Sequence, residues 1–389
     1  LKIPEANKDM KRKGYIYETI CSYENCKEAI RSAIKGKKNR RVVKRVSCHL
    51  EKYAHALSKM LAEEKYQLSP YRQVTIVDGP SRKQREIQVP AFWPDQCLHH
   101  AVMNVLRPMI MQTSYYWSCG SIPGRGFKRG MRGVENATQV DTKQAKYCAK
   151  LDIKKFYASI PHDGMKKCIR RRVKDARVLR LIDTIIDSHP DGLPIGNYTS
   201  AWFANFYLMP LDTFIKAGES IGGLGIKHYV RNVDDMVLFS NNKKKLHAAV
   251  RSIVQFVDEQ LGLRIKENWQ VFLVKRDKRM RGKKTGRPVD FLGYCFCIGY
   301  TTLRKRNALA LMRCSRKIQK CMAKKRPVSY RAAAGFLARI GQAKHCDSFG
   351  LKQKYIDVIP LRILKEVVRH ESKRRQLASG CVYCGNAAG

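Results

Sequence analysis

Y-V-R-N-V-D-D-M-V-L-F, from Tyr229 to Phe239, reads as two short apolar strands meeting at a pair of adjacent aspartates. β-Branched and aromatic residues lead in and out, so a tight β-hairpin with Asp234 and Asp235 at its tip is expected. A second stretch has the same character: L-D-I-K-K-F-Y, Leu151 to Tyr157, is a strand with Asp152 near its start. Apolar sides do not bury ionised carboxylates unpaired. Three of them folded together in a basic chain would make a negative pocket in a positive field. That pocket suits two hard cations holding the attacking and leaving oxygens of an in-line phosphoryl displacement. An Asp-Asp turn taken alone is more often an exposed loop.

Over 389 residues, Lys and Arg outnumber Asp and Glu by 77 to 32, a formal net charge of +45. Such an excess points to a polyanionic partner, nucleic acid or an anionic membrane. No apolar run reaches the roughly 18 to 20 residues that span a bilayer, and L-K-I-P-E-A-N-K-D-M lacks the apolar stretch of a signal peptide. A soluble, cytoplasmic protein without a membrane partner is therefore expected. The length suits two or three subdomains. Cysteines inside apolar segments (Cys148, Cys295, Cys297) read as reduced, buried thiols. Cys381 and Cys384 have metal-ligand spacing, but a second pair would have to be the distant Cys21 and Cys26, which favours a reduced tail over zinc.

Along the chain, apolar spacing predicts helices over Tyr15 to Ile34 and Val46 to Leu61, joined by the basic run Lys35 to Arg45, which reads equally as linker or phosphate contact. Tyr71 to Val89 reads as a hairpin turning at Asp78-Gly79-Pro80, with Lys83 and Arg85 on one face near its tip, placed to grip a triphosphate or template. A helix over Asp95 to Met111 precedes S-C-G-S-I-P-G-R-G-F-K-R-G-M-R-G. That glycine-rich stretch is not expected to form a regular element; its backbone can approach an anion that Arg125, Lys128 and Arg129 neutralise. After the Asp152 strand come a helix from Pro161 and a glycine turn at Gly192. An aromatic core helix follows, whose polar start, Asn197 to Ser200, is free to touch a ligand. A helix over Lys243 to Leu261, strands at Trp269 to Val274 and Pro288 to Cys297, and basic helices from Arg304 to Arg375 complete the chain.

In this order the pieces resemble a reverse transcriptase. The motifs carrying the resemblance are K-Q-R-E-I-Q-V-P, P-G-R-G, L-D-I-K-K-F-Y-A-S-I, G-L-P-I-G-N-Y-T-S, V-D-D-M-V-L-F, K-E-N-W-Q-V-F and D-F-L-G-Y. The resemblance implies an α+β right-hand polymerase fold with fingers, a palm on an antiparallel sheet and an α-helical thumb. It assigns 1–70 to a basic helical extension, 71–145 to fingers, 146–298 to palm, 299–375 to thumb and 376–389 to a tail. It makes Asp152, Asp234 and Asp235 catalytic, binding two Mg²⁺ (or Mn²⁺) with the carbonyl of Ile153. Tyr157 becomes the gate against a ribose 2′-hydroxyl, and Lys83, Arg85, Arg125, Ile195 and Gly196 line the incoming dNTP. Asn197, Asn232, Lys266, Phe291, Leu292, Gly293, Tyr294, Arg304 and Lys305 become primer and template contacts.

Within the family the sequence is most similar to the compact bacterial and phage enzymes of diversity-generating retroelements, related to retron and group II intron enzymes. S-C-G-S-I-P-G-R-G, P-I-G-N-Y-T-S and F-A-N-F-Y-L carry that likeness. It implies template RNA that is structured and element-encoded, a cDNA primer, a small accessory protein, and a bacterial or phage-infected cytoplasm. Ile195 stands where most relatives have Gln, so loosened checking and low fidelity are expected. Asn232 replaces an aromatic, and Ile122 an Arg. The alternatives are a retron or phage-defence reverse transcriptase and, from another class, a non-catalytic RNA-binding scaffold.

Overall fold

The computed structural model describes residues 12–78, 83–276 and 286–380. These fall into two compact units dividing between Leu273 and Val274. The Asp78-Gly79-Pro80 turn is outside the described residues apart from the backbone of Asp78, and so are the side chain of Lys83 and both Cys381 and Cys384.

The first unit is built on a five-stranded sheet. Its strands are β3 (Ser118–Cys119), β4 (Tyr147–Asp152), β5 (His228–Asn232), β6 (Asp235–Ser240) and β7 (Gln270–Leu273), in the order β3-β5-β6-β4-β7. All pairings are antiparallel except β3 with β5. Met236 to Ser240 are buried without alternation, as expected of a central strand covered on both faces. Helix Lys243–Leu261 packs on β4 and β6, its start capped by Asn242 and its end closed by Gly262 at φ +60. Helix Tyr198–Tyr207 is buried from Thr199 onward except for Ala201, the core role its aromatics predict.

Outside the sheet, β1 (Arg72–Asp78) and β2 (Lys83–Val89) form the expected hairpin. The Tyr15 to Ile34 helix is broken in two, Tyr17–Cys21 and Tyr23–Ile34, because Ser22 leaves helical geometry to cap the second. The second half of the basic run is helical, Arg41–Cys48, since Val43 and Val46 share a buried face. The glycine-rich stretch also holds a helix, Phe127–Glu135. Its glycines permit close packing: a Cβ on Gly133 would lie 2.7 Å from Val230 Cγ2 and 2.9 Å from Trp117 Cε3.

In the second unit β8 (Val289–Phe291), β9 (Tyr294–Cys297) and β10 (Tyr300–Leu303) form a meander, so the strand expected over 288–297 is a hairpin. Leu292 and Gly293, both left-handed at φ +52 and +88, make its two-residue turn. Helices Lys305–Ala323, Tyr330–Ala343, Phe349–Tyr355 and Leu361–Gly380 follow as the sequence predicts. Among the described residues no helix is long and apolar enough to cross a membrane.

Candidate active site

Strand register brings the three aspartates together. Asp152 ends β4 and stands directly opposite Asp235, the first residue of β6. Asn232 pairs with Asp235, so Val233 and Asp234 alone form the turn between β5 and β6. Like charges opposed across a sheet are destabilising. Burial raises the Asp234 carboxyl above the usual carboxylate range, the charge of Asp152 adds to this, and Lys266 and Arg85 pull the other way.

Two lysines sit on the other carboxylates: Lys266 Nζ is 2.6 Å from Asp152 Oδ2, and Lys150 Nζ 3.7 Å from Asp235 Oδ2. In this arrangement no three His, Cys, Asp or Glu side chains among the described residues converge as ligands on one point. Asp152 Oδ1 is nevertheless buried without a hydrogen-bond partner. A buried oxygen without a hydrogen-bond partner among neighbouring carboxylates fits a divalent cation supplied from outside, because hard oxygen donors suit such ions. The side chain of Ile153 is fully buried, so only its backbone can face such an ion.

The turn itself is strained. Val233 has φ +59, where β-branched residues are rare and the cost is of order 1–3 kcal/mol. A network absent from the sequence reading holds it. Arg231, fully buried in β5, donates to Asp212 Oδ1 (2.8 Å) and Oδ2 (2.6 Å), to Asn205 Oδ1 (3.1 Å) and to the carbonyl of Val233 (2.9 Å). Tyr229 donates to the same Asp212 at 2.8 Å. From the other side, the Val233 N–H donates to the Cys119 carbonyl at 3.1 Å. Gly120, at φ +85, passes so close that a Cβ there would meet Asn232 Oδ1 at 2.6 Å and Val233 Cγ2 at 2.8 Å. The signal for Arg231 was present as an anomaly, a lone cation between apolar strand residues, which implies a buried partner.

The remaining candidates divide. Tyr157 is close enough to Asp234 that burial and then that charge push its phenol up to about 12. Its carbonyl accepts from Leu193 N–H at 2.8 Å, and a Cβ on Gly192 would lie 2.3 Å from that oxygen. The Gln88 N–H of β2 donates to the Ile195 carbonyl at 2.8 Å, and the Ile195 side chain is 39% exposed. Lys266, expected along primer and template, sits on Asp152. Arg125, expected at the triphosphate, donates to the carbonyls of Met111, Ser114 and Tyr115 at 3.0–3.3 Å and caps the end of helix Cys97–Thr113. Asn197, Thr199 and Ser200 are buried rather than open to a ligand; Asn197 Nδ2 donates to the Tyr71 hydroxyl at 2.7 Å. In the second unit, Phe291 and Tyr294 are buried beside the Leu292–Gly293 turn. The Gly293 carbonyl accepts from Arg304 N–H and Asn307 Nδ2, Arg304 pairs with Asp290, and Lys305 is exposed.

Comparison with known proteins decides the family. The reverse transcriptase (RNA-dependent DNA polymerase) family matches residues 34–296. The chain belongs to that family. It therefore carries a reverse transcriptase domain, of the RNA-directed DNA polymerase class of nucleotidyltransferases, with the α+β right-hand polymerase fold. Protein YkfC of Escherichia coli (strain K12) is 26% identical over 161 residues, 39% of this chain and 42% of that protein. An uncharacterized 91 kDa protein in the cob intron of Schizosaccharomyces pombe is 25% identical over 167 residues, 40% of this chain and 20% of that one. The chain thus spans less than half the length of these relatives. Apo telomerase from Candida tropicalis is similar with a TM-score of 0.42 at 11% identity, covering 94% of this chain and 78% of that one. Telomerase from Candida albicans in complex with a fragment of telomeric RNA gives 0.44 at 11%, covering 85% and 65%.

Proposed function

We propose that this chain copies an RNA template into DNA, joining a primer 3′-hydroxyl to the α-phosphate of a dNTP with release of pyrophosphate. The observation that carries this is the register of Asp152 against Asp235 with Asp234 in the adjoining turn. Asp152, Asp234, Asp235 and the Ile153 carbonyl would hold two Mg²⁺ ions, with Mn²⁺ as substitute, which lower the hydroxyl's pKa and neutralise the leaving group. Tyr157 closes the space beside C2′ of the nucleotide and so rejects ribose. Arg85, with Lys83 on the same strand, neutralises charge on the triphosphate. Gly196 keeps the backbone beside Ile195 close to β2. Residues 71–145 act as fingers, 146–298 as palm and 299–375 as thumb; the Leu292–Gly293 turn, Arg304 and Lys305 serve the primer–template duplex by its backbone.

The diversity-generating retroelement type is the reading supported by S-C-G-S-I-P-G-R-G, P-I-G-N-Y-T-S and the exposed Ile195. It carries with it a structured template RNA, a small accessory protein and low fidelity, because an apolar side chain cannot hydrogen-bond near the nucleotide. Primer extension on RNA with Mg²⁺ tests the activity: Asp234→Ala with Asp235→Ala should abolish it, and equal products from native and variant would favour a non-catalytic scaffold. Ile195→Gln tests the subtype, with fewer misincorporations expected in sequenced cDNA. An unchanged error spectrum removes that support and leaves a retron or phage-defence enzyme as the better reading.

A further inference from the structure

Helix Phe127–Glu135 presents two faces of opposite character. Gly130, Met131, Gly133 and Val134 are buried, Gly133 against Val230 of β5 and Trp117. Lys128 and Arg132 are exposed on the other side. Beside that basic face stands Tyr116, 55% exposed, with the Arg129 guanidinium over its ring at 4.4 Å and Trp117 edge-on at 4.6 Å. Phe127, 43% exposed, lies at the helix start. Since Arg125 is committed to the carbonyls of Met111, Ser114 and Tyr115, the cations this segment offers to an anion are Lys128, Arg129 and Arg132.

Exposed rings alternating with cations are the means by which proteins hold unpaired nucleic acid: bases stack on the aromatic or guanidinium plane while the backbone is neutralised. A paired duplex offers no free base face, and an acidic polypeptide has no use for the ring. The segment is also continuous with the aspartate turn, through the pairing of β3 with β5 and the packing of Gly120 under Val233. We propose that Tyr116, Phe127, Lys128, Arg129 and Arg132 form a track for the single-stranded part of the template RNA. This rests on the polymerase reading above and adds where the unpaired template runs.

The test compares binding of the full chain to two RNA–DNA primer–templates, one with an RNA overhang of about two nucleotides and one with about twelve, a length within the usual footprint of such tracks. The native chain should bind the longer overhang about tenfold more tightly, a factor corresponding to one stacked base. Tyr116→Leu with Arg132→Ala should remove the difference, leaving affinity for the short overhang and one-nucleotide extension on it unchanged. Tyr116→Phe, which keeps the ring, should retain it. A native chain with no overhang preference, or a Leu variant that keeps it, overturns the proposal. Poly-glutamate that displaces the long overhang from the native chain as well as single-stranded RNA does, and fails to do so from the double variant, would assign the face to an acidic polypeptide instead. Absence of extension on either substrate would count against the polymerase reading alone, because overhang preference is read by binding.

Discussion

Among the described residues, two hairpins place a bulky residue in the left-handed region, Val233 between β5 and β6 and Leu292 between β8 and β9. They differ in what opposes the strain. The first is clamped by a buried ion pair whose side chains are 1% and 3% exposed, by a backbone bond to Cys119, and by Gly120 in near contact. The second is held at its rim, by Arg304 and Asp290 with side chains 23% and 48% exposed and by Asn307. A turn that must hold a carboxylate steady needs a rigid surround, because small misplacements at a reacting centre are costly. The Leu292–Gly293 turn, proposed to support a duplex of varying sequence, would tolerate a wetter, weaker one.

The largest effect should come from breaking the first clamp. Arg231→Met strands Asp212 in the core and should lower stability by about 3–5 kcal/mol in chemical denaturation. Adding Asp212→Leu and Tyr229→Phe should restore most of that, since apolar groups can replace a buried ion pair. Primer extension by the triple variant should still fall by ~10²-fold, because the Val233 carbonyl has lost its donor. A triple variant with native activity would mean that the turn holds itself.

Gly120→Ala comes next, at about 2 kcal/mol, from a residue with a Cβ at positive φ and its contact with Asn232 and Val233. Arg304→Met sharpens the contrast from the other side: a half-exposed pair should cost about 1 kcal/mol or less, and less still in high salt. Smallest, and opposite in sign, is Asp234→Asn. Burial and Asp152 raise the Asp234 pKa, so its ionised form costs folding stability. That cost is absent below the unfolded value of about 4, grows as pH rises, and is complete above the raised folded value. In chelator at neutral pH the Asn variant should melt higher than the native chain, with the gain vanishing near about pH 4.

Much of this was legible in the chain. The two acidic strands announced themselves by β-branched runs ending in carboxylates, and helix Tyr198–Tyr207 by its aromatic residues. What escaped depends on tertiary placement. Arg231 and Asp212 lie on different elements, and no periodicity pairs them. Arg125 reads as an anion ligand, and nothing in the sequence marks the partners it has in the fold, the carbonyls of Met111, Ser114 and Tyr115 at and just past a helix end. Helix Phe127–Glu135 was hidden because its glycines argue against a helix until one sees that they let it approach the sheet. Asn197 to Ser200 read as open because they are polar, yet the hydroxyl of Tyr71 draws Asn197 inward.

The loop at Ile195 has one more implication. Its carbonyl is tied to Gln88, and the neighbouring Gly196 leaves only 2.1 Å between a would-be Cβ and the Gln88 oxygen. The main chain there is immovable in practice, while the adjoining side chain stands in the open. If Ile195 faces the incoming nucleotide as proposed, exchanging that one side chain on a fixed support would retune copying accuracy without disturbing the main chain.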